Sequence, residues 1–217
     1  MSDHGTPTRR LAAAAALVLV GPVFAALADA TADATTQRKQ NLTQLIAESQ
    51  SILSGRVDRV TDGIDEKGMP YTEITIAVSD AARGNVHGGT RYKFRQFGLQ
   101  KPRKMPHGKE MLAMSPEGFP EWSVGEQVLA FLFEPATRTG FQTTVGLAQG
   151  KLGMRDGRVS NEFNNEGLFD GVQIEAGLLS ASERTMLASK GPVDAATLIG
   201  LISRAVSENW IVNGEMR

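Results

Sequence analysis

The sequence predicts a mainly β fold with a helical component: a small antiparallel barrel of about five to seven strands, with a short N-terminal helix and an amphipathic C-terminal one. Three observations predict it. The run Val128-Leu129-Ala130-Phe131-Leu132-Phe133 is continuously apolar yet only strand-length, bounded by Gly125 and Pro135, so both of its faces need cover. Two segments, Tyr71 to Val78 and Arg91 to Phe97, alternate with period two. Leu198, Leu201, Ile202, Ala205, Val206 and Trp210 recur at helical spacing behind Asp194, a good N-cap. The barrel is expected to cover one face of the 128–133 strand and the C-terminal stripe the other.

The chain opens with Arg9-Arg10, an alanine-rich apolar run from Leu11 to Leu27, and then small residues that fit an A-x-A cleavage rule at Ala28 or Ala30. Residues 1–28 are therefore expected to be a secretory signal peptide and the protein periplasmic or secreted. The run is short and alanine-rich for a transmembrane anchor, so no membrane span is expected after cleavage. The chain has no cysteine, which excludes the usual bacterial lipoprotein and means that the exported domain needs an adequate apolar core instead of disulfides. Cleavage after Ala28 leaves about 190 residues, enough for one domain. It also leaves 21 Lys and Arg against 23 Asp and Glu, a balance that gives no sign of a nucleic-acid binder.

Residues 29–40 are polar and small and form a linker; the domain is expected over 41–217. Leu42, Leu45 and Ile46 predict a short helix, and Ser51 to Val60 a strand bulged at Gly55. The turn-rich stretch from Asp62 to Gly68 then joins that strand to Tyr71 to Val78 as a hairpin. Residues 98–125, rich in Pro, Gly and Met, form a long segment of the kind that is functional, covered or mobile. Thr143 to Val145 and Lys151 to Met154 are further strands, the latter turning at Asp156-Gly157 into Val159. Asn161 to Gly171 is polar and irregular.

Several phrases together resemble a group of uncharacterised exported bacterial proteins: Leu45-Ile46-Ala47-Glu48-Ser49-Gln50-Ser51-Ile52, Ser54-Gly55-Arg56-Val57, Gly125 to Leu132, and Val145-Gly146-Leu147-Ala148-Gln149-Gly150-Lys151-Leu152. The resemblance spans Leu42 to Met154 and implies a fold and an exported address, not an activity. A looser likeness is to OB-type barrels of the netrin and tissue-inhibitor kind, which implies an interaction surface on an OB-like sheet. That family works through disulfides and an N-terminal cysteine, and this chain has neither.

The most unusual local feature is basic. Arg91, Lys93 and Arg95 share one strand face about 7 Å apart, and Lys101, Arg103, Lys104, His107 and Lys109 follow before the first acid, Glu110. Such a surface attracts phosphate or carboxylate groups, although cations on an edge strand also block unwanted pairing. Trp122 joins these as a candidate sugar-stacking or partner-binding residue, or as a cap on the barrel's end. Met105, His107, Met111 and Met114 are soft ligands of the type that holds Cu(I), or methionines that plug a loop. With only His87 and His107 in the domain and no H-E-x-x-H, zinc chemistry has little to build on. Gly146 to Lys151 falls one residue short of a phosphate loop, and there is no G-x-S-x-G elbow. Acids for a paired-carboxylate site would come from Asp62, Asp65, Glu66 and Glu73, which sit near a turn.

The leading expectation is thus a non-enzymatic module without cofactor, whose ligand-binding residues are Arg91, Lys93, Arg95, Lys101, Arg103, Lys104 and Trp122 and whose partner is an anionic envelope or extracellular molecule. A hydrolase with its site in 98–125, and a Cu(I)-handling envelope protein, are the alternatives.

Overall fold

The computed structural model describes residues 39–105 and 107–217. The expected signal peptide and residues 29–38 of the expected linker lie outside them. In chain order the main elements are α1 (Leu42–Glu48), β1 (Ser51–Ile64), β2 (Pro70–Arg83), β3 (Arg91–Phe97), β4 (Arg103–Lys104), β5 (Glu110–Met111), β6 (Gln127–Leu132), β7 (Lys151–Arg155), β8 (Arg158–Ser160), α2 (Ala181–Leu187), β9 (Val193–Asp194), α3 (Ala195–Ser207) and α4 (Trp210–Asn213). Seven strands pair antiparallel in the order β3-β2-β1-β6-β7-β8-β9, and β4 and β5 make a second, two-stranded sheet.

Short-range chemistry starts several of these elements. Asn41 and Gln44 form a reciprocal cap at the start of α1, each side chain accepting the other's backbone N–H. The carbonyls at the helix's other end are met from β2, where Arg83 donates to Ile46 and Ser49. The Asp65 side chain accepts the N–H groups of Lys67 and Met69 and so closes the β1–β2 turn. Each of these two strands runs past its expected boundary, to Ile64 and to Arg83, because cross-strand pairing from Ile52–Arg83 to Ile64–Pro70 carries polar residues that the alternation alone does not claim. The register slips at Gly55, where a Cβ would lie 2.2 Å from the Ala77 carbonyl oxygen, so no side chain fits.

β6 is the central strand, paired to β1 on one edge and β7 on the other. Its side chains divide between two apolar clusters. Val128, Ala130 and Leu132 meet Leu53, Val57, Ile74, Ile76, Val78, Phe94 and Trp122. Leu129 and Phe131 belong with Leu42, Ile46, Leu198, Leu201, Ile202 and Trp210. These five side chains, Val128 to Leu132, are at most 2% exposed, while Gln127 at the start of β6 is exposed. The two-sided burial expected of this run is therefore present, with α3 supplying the outer cover and Val206 packed at its margin.

Residues beyond β6 turn back alongside it, but Thr143 to Val145, expected as a strand, make only an isolated bridge from Thr144 to Leu132. Phe133 N–H donates to the Thr143 carbonyl, Val145 N–H to Phe131, and Gln142 N–H to Arg95 of β3. Gly150 lies against this return, where a Cβ would stand 2.0 Å from the Val145 oxygen. Its glycine is set by close backbone approach, not by a phosphate.

Two further features differ from the sequence reading. The C-terminal stripe is not one helix: α3 ends at Ser207, Asn209 takes a left-handed φ of 58°, and Trp210 reaches the core from α4. A helix that the apolar pattern does not announce, α2, begins with a reciprocal Ser180–Glu183 cap. Buried Glu183 then pairs with Arg204 of α3 at 2.5 Å, and that guanidinium lies 5.0 Å above the Trp210 ring. Burial pushes the Glu183 carboxyl up, but Arg204 and the Ser180 hydrogen bonds outweigh it and hold the group below its ordinary range. Residues 161–171 are irregular, as expected, a chain of turns pinned by Asn161 and Asn165. The Asn161 side chain accepts Asn165 N–H, and the Asn165 side chain accepts Asn161 N–H while donating to the Val159 and Gly191 carbonyls.

Two substitutions test this packing. Phe131→Ala is expected to destabilise the domain by about 3–5 kcal/mol through transfer and cavity terms. Gly55→Ala is expected to do so by about 1–3 kcal/mol through overpacking alone. Urea melts followed by circular dichroism check both, and an unchanged midpoint for either variant would remove the corresponding contact from the account.

Candidate functional site

β3 pairs along β2 with Arg91 opposite Ala77, Lys93 opposite Thr75 and Arg95 opposite Glu73. Tyr92 and Phe94 turn to the apolar interior while the three cations stay exposed, as strand alternation requires. Their charge is met on the sheet itself. Glu73 accepts Arg95 at 2.9 Å and lies 3.8 Å from Lys93, and Asp58 of β1 accepts Arg91 at 3.1 Å. Arg95 also stacks 4.2 Å from the centre of the Tyr71 ring. The β3 face is thus a cross-strand ion network in which two acids serve three cations. Arg56 and Arg59 of β1 are exposed nearby and take no acid partner among the described residues.

The segment after β3 is a hairpin. Leu99 and Met114 exchange both backbone hydrogen bonds, Arg103 stands opposite Met111, Lys104 opposite Glu110, and Met105 N–H donates to the Lys109 carbonyl. One side chain from β1 organises its base. Asp62 accepts Gln100 N–H and Lys101 N–H through Oδ2, both at 2.9 Å, and Arg103 through Oδ1 at 2.5 Å, while Arg103 also donates to the Asp62 carbonyl oxygen. The Asp62 side chain is 8% exposed. Burial pushes its carboxyl up, yet the Arg103 guanidinium and the two N–H groups together hold it below the usual carboxylate range. Arg103 is therefore occupied, whereas Lys101, Lys104 and Lys109 are exposed and form no ion pair among the described residues.

Trp122 does not stand with these cations as a stacking surface. It is 3% exposed, edge-on to Phe94 with ring centres 5.4 Å apart, and its Nε1–H donates to Gln96 Oε1 at 3.2 Å. An indole closes the interior well because its apolar body packs while its one donor finds a partner. Beside it lies a cleft of about 430 Å³ bordered by Thr72, Gln96, Leu99, Met114 and Glu121. The buried polar groups of that cleft already serve the fold, since Thr72 donates to the Gly98 carbonyl and Gln96 to that of Pro120. Nothing in it pairs a nucleophile with a base. His107, the histidine of this segment, is exposed at the hairpin tip, where Nδ1 accepts Lys109 N–H.

The other sequence candidates separate in the same way. Of the four acids near the turn, Asp62 and Glu73 hold arginines and Asp65 holds backbone N–H groups. Met105 and Met111 are half-buried and Met114 is 43% exposed. Among the described residues, no group of three or more His, Cys, Asp or Glu could hold a metal ion, and no helix is long and apolar enough to cross a membrane.

Charge is also divided along the chain. Residues 37–111 carry 13 Lys and Arg against 8 Asp and Glu, a formal +5, while residues 112–217 carry 8 against 13, a formal −5. In the sheet the first group supplies the β3-β2-β1 side and the second the β6-β7-β8-β9 side, so a difference along the sequence becomes one across the molecule.

The Asp62 contacts make a pH prediction. A carboxyl whose folded value is depressed adds stability that is present above its unfolded value, about 3.9, and is lost as pH falls through the folded value. Amide-exchange protection at Gln100 and Lys101 is therefore expected to hold from about pH 5 upward and to weaken below about pH 4. Asp62→Asn is expected to lower it by about 1–2 kcal/mol above about pH 5 and to approach the parent's protection as the pH falls below about 4. Protection in Asp62→Asn equal to that of the parent would show that the hairpin is held by something else. Compared with known proteins, the chain matches no family model, no curated protein and no solved structure.

Proposed function

We propose that this chain is an exported, non-enzymatic binding module that presents the 99–114 hairpin, backed by the β3 face, to an anionic partner. One observation carries the reading: Lys101, Lys104 and Lys109 project from an ordered hairpin with no acid partner among the described residues, while the β3 cations and Arg103 are already paired. An exposed cation that stabilises no neighbour is available to a ligand, and a hairpin fixed at its base loses little freedom on binding. The binding residues of first importance thus become Lys101, Lys104 and Lys109, with Arg91, Lys93 and Arg95 as a flanking field. Export rests on the Arg9-Arg10 and alanine-rich opening and on the small residues that fit an A-x-A cleavage rule at Ala28 or Ala30. An OB-like barrel, closed where Gln142 N–H reaches the Arg95 carbonyl, is the architecture we attach to it; the one-sided apolar interior of β1, β2, β3 and β6 supports that view.

Retention on a dextran sulfate resin tests the proposal. The parent is expected to bind at low salt and elute by roughly 0.5 M, where the screening length is only a few ångströms. Replacing Lys101, Lys104 and Lys109 together by Glu is expected to weaken retention at least about tenfold. Arg155→Glu, on the exposed β7–β8 turn, is expected to leave it near the parent's. Equal losses in the two variants would reduce the effect to net charge and overturn the assignment of the hairpin.

A further inference from the structure

We infer that the anionic partner is a lipid surface, which the hairpin meets with two exposed apolar side chains of its second arm, near unpaired lysines. The inference rests on the proposed binding role of this hairpin and adds the chemistry of what it binds. Leu112 is 70% exposed and Met114 43% exposed, and they are among the few large apolar side chains left in solvent by the described residues. They lie two residues apart in the same hairpin that carries Lys101, Lys104 and Lys109.

Register decides which way the group faces. Arg103 and Met111 share one side of the hairpin, and Arg103 is drawn down to Asp62, so that side meets the domain. Lys104 and Glu110 occupy the opposite side, and strand alternation carries Leu112 there with them. The outward side thus combines an unpaired lysine and one acid with an exposed leucine. Glu110 is the one acid of the 99–114 segment and subtracts one charge from its three unpaired lysines.

That combination separates ligand classes. A soluble polyanion uses the lysines and has no use for Leu112. A folded protein partner needs about 800 Å² on each side, far more apolar and polar surface than two such side chains provide. An anionic bilayer uses both, because headgroup phosphates take the cations while Leu112 and Met114 enter the acyl boundary. The formal +5 of residues 37–111 against the −5 of residues 112–217 also turns the hairpin side toward a negative plane.

The absence of cysteine allows a site-specific test. Leu112→Cys on the exported chain is labelled with a polarity-sensitive fluorophore and mixed with vesicles of phosphatidylcholine alone or with about 30% phosphatidylglycerol. A blue shift is expected with the anionic vesicles only, and reversed by high salt. Val212→Cys, 84% exposed on α4, is expected to show none. In co-sedimentation, Leu112→Ser is expected to bind anionic vesicles about tenfold less well while its retention on dextran sulfate stays that of the parent. Retention on dextran sulfate without a blue shift at residue 112 would overturn the lipid inference and leave a soluble polyanion or acidic protein as the partner. Loss of both would sink the underlying binding role. Leu112 is exposed, so an unchanged melting temperature is expected and serves as the folding control.

Discussion

The structure depends on one strand being hidden from water on every side. β6 has both edges hydrogen-bonded, to β1 and β7, and both faces covered, so Val128 to Leu132 contribute burial to two clusters at once. Each fully buried side chain of this size contributes about 1.5–3 kcal/mol. β1 joins the two clusters as well, through Ile52 and Leu53, but β6 does so with five successive residues, Val128 to Leu132. The constraint propagates to the backbone around it. β2 approaches β1 so closely that position 55 takes only glycine, and the return after β6 does the same at Gly150. Cysteine-free, the domain draws on this packing where other small domains use covalent links.

Around that core the buried polar side chains act as fasteners between elements that share little apolar surface. Glu183 joins α2 to α3 through Arg204, which also donates to the Leu178 carbonyl and lies over Trp210. Asn161 and Asn165 tie the 161–171 turns to β8 and to Gly191. Asp62 fixes the 99–114 hairpin. In each case one side chain satisfies two or more partners, which makes its loss cost more than a single hydrogen bond. All three attach segments that apolar patterning alone leaves undefined.

This difference explains what was legible in the sequence. Periodic burial writes itself into a chain, and so α1, β1, β2, β3, β6, β7, β8 and the stripe of α3 could be read from it. The two-face requirement of β6 could be read as well, because Leu129 and Phe131 interrupt the alternation of Val128, Ala130 and Leu132 with apolar residues rather than polar ones. The fasteners could not. Asp62 and Arg103 are 41 residues apart and Glu183 and Arg204 are 21 apart, and nothing in either acid's neighbourhood names its partner. Ser180 followed by Glu183 was an available start signal for α2, but the helix has only seven residues and too few apolar positions to show a period. Trp122 shows the converse, because the sequence leaves a displayed ring and an interior cap both open and burial decides for the second. An aromatic in a Pro- and Gly-rich stretch suggests a displayed ring, yet Gln96 two residues beyond Phe94 provides the acceptor that lets the indole close the interior.

The candidate site obeys a different rule from the core, because a charge is available to a partner only where the fold has not already used it. Composition counts Arg91, Lys93, Arg95, Arg103 and Lys104 alike, whereas the structure assigns Glu73, Asp58 and Asp62 to four of them and leaves Lys104 alone. The paired cations still contribute field at a distance, but within a screening length of about 10 Å at 0.1 M salt each is largely cancelled by its neighbour. What remains concentrated is the hairpin, and it remains because Asp62 neutralises the one arginine that faces the domain while holding the backbone that carries the lysines outward. The same acid therefore lowers the charge of the hairpin's inner side and orders its outer side. A stable position for Lys101 and Lys104 follows from a carboxylate that contacts neither of their ammonium groups.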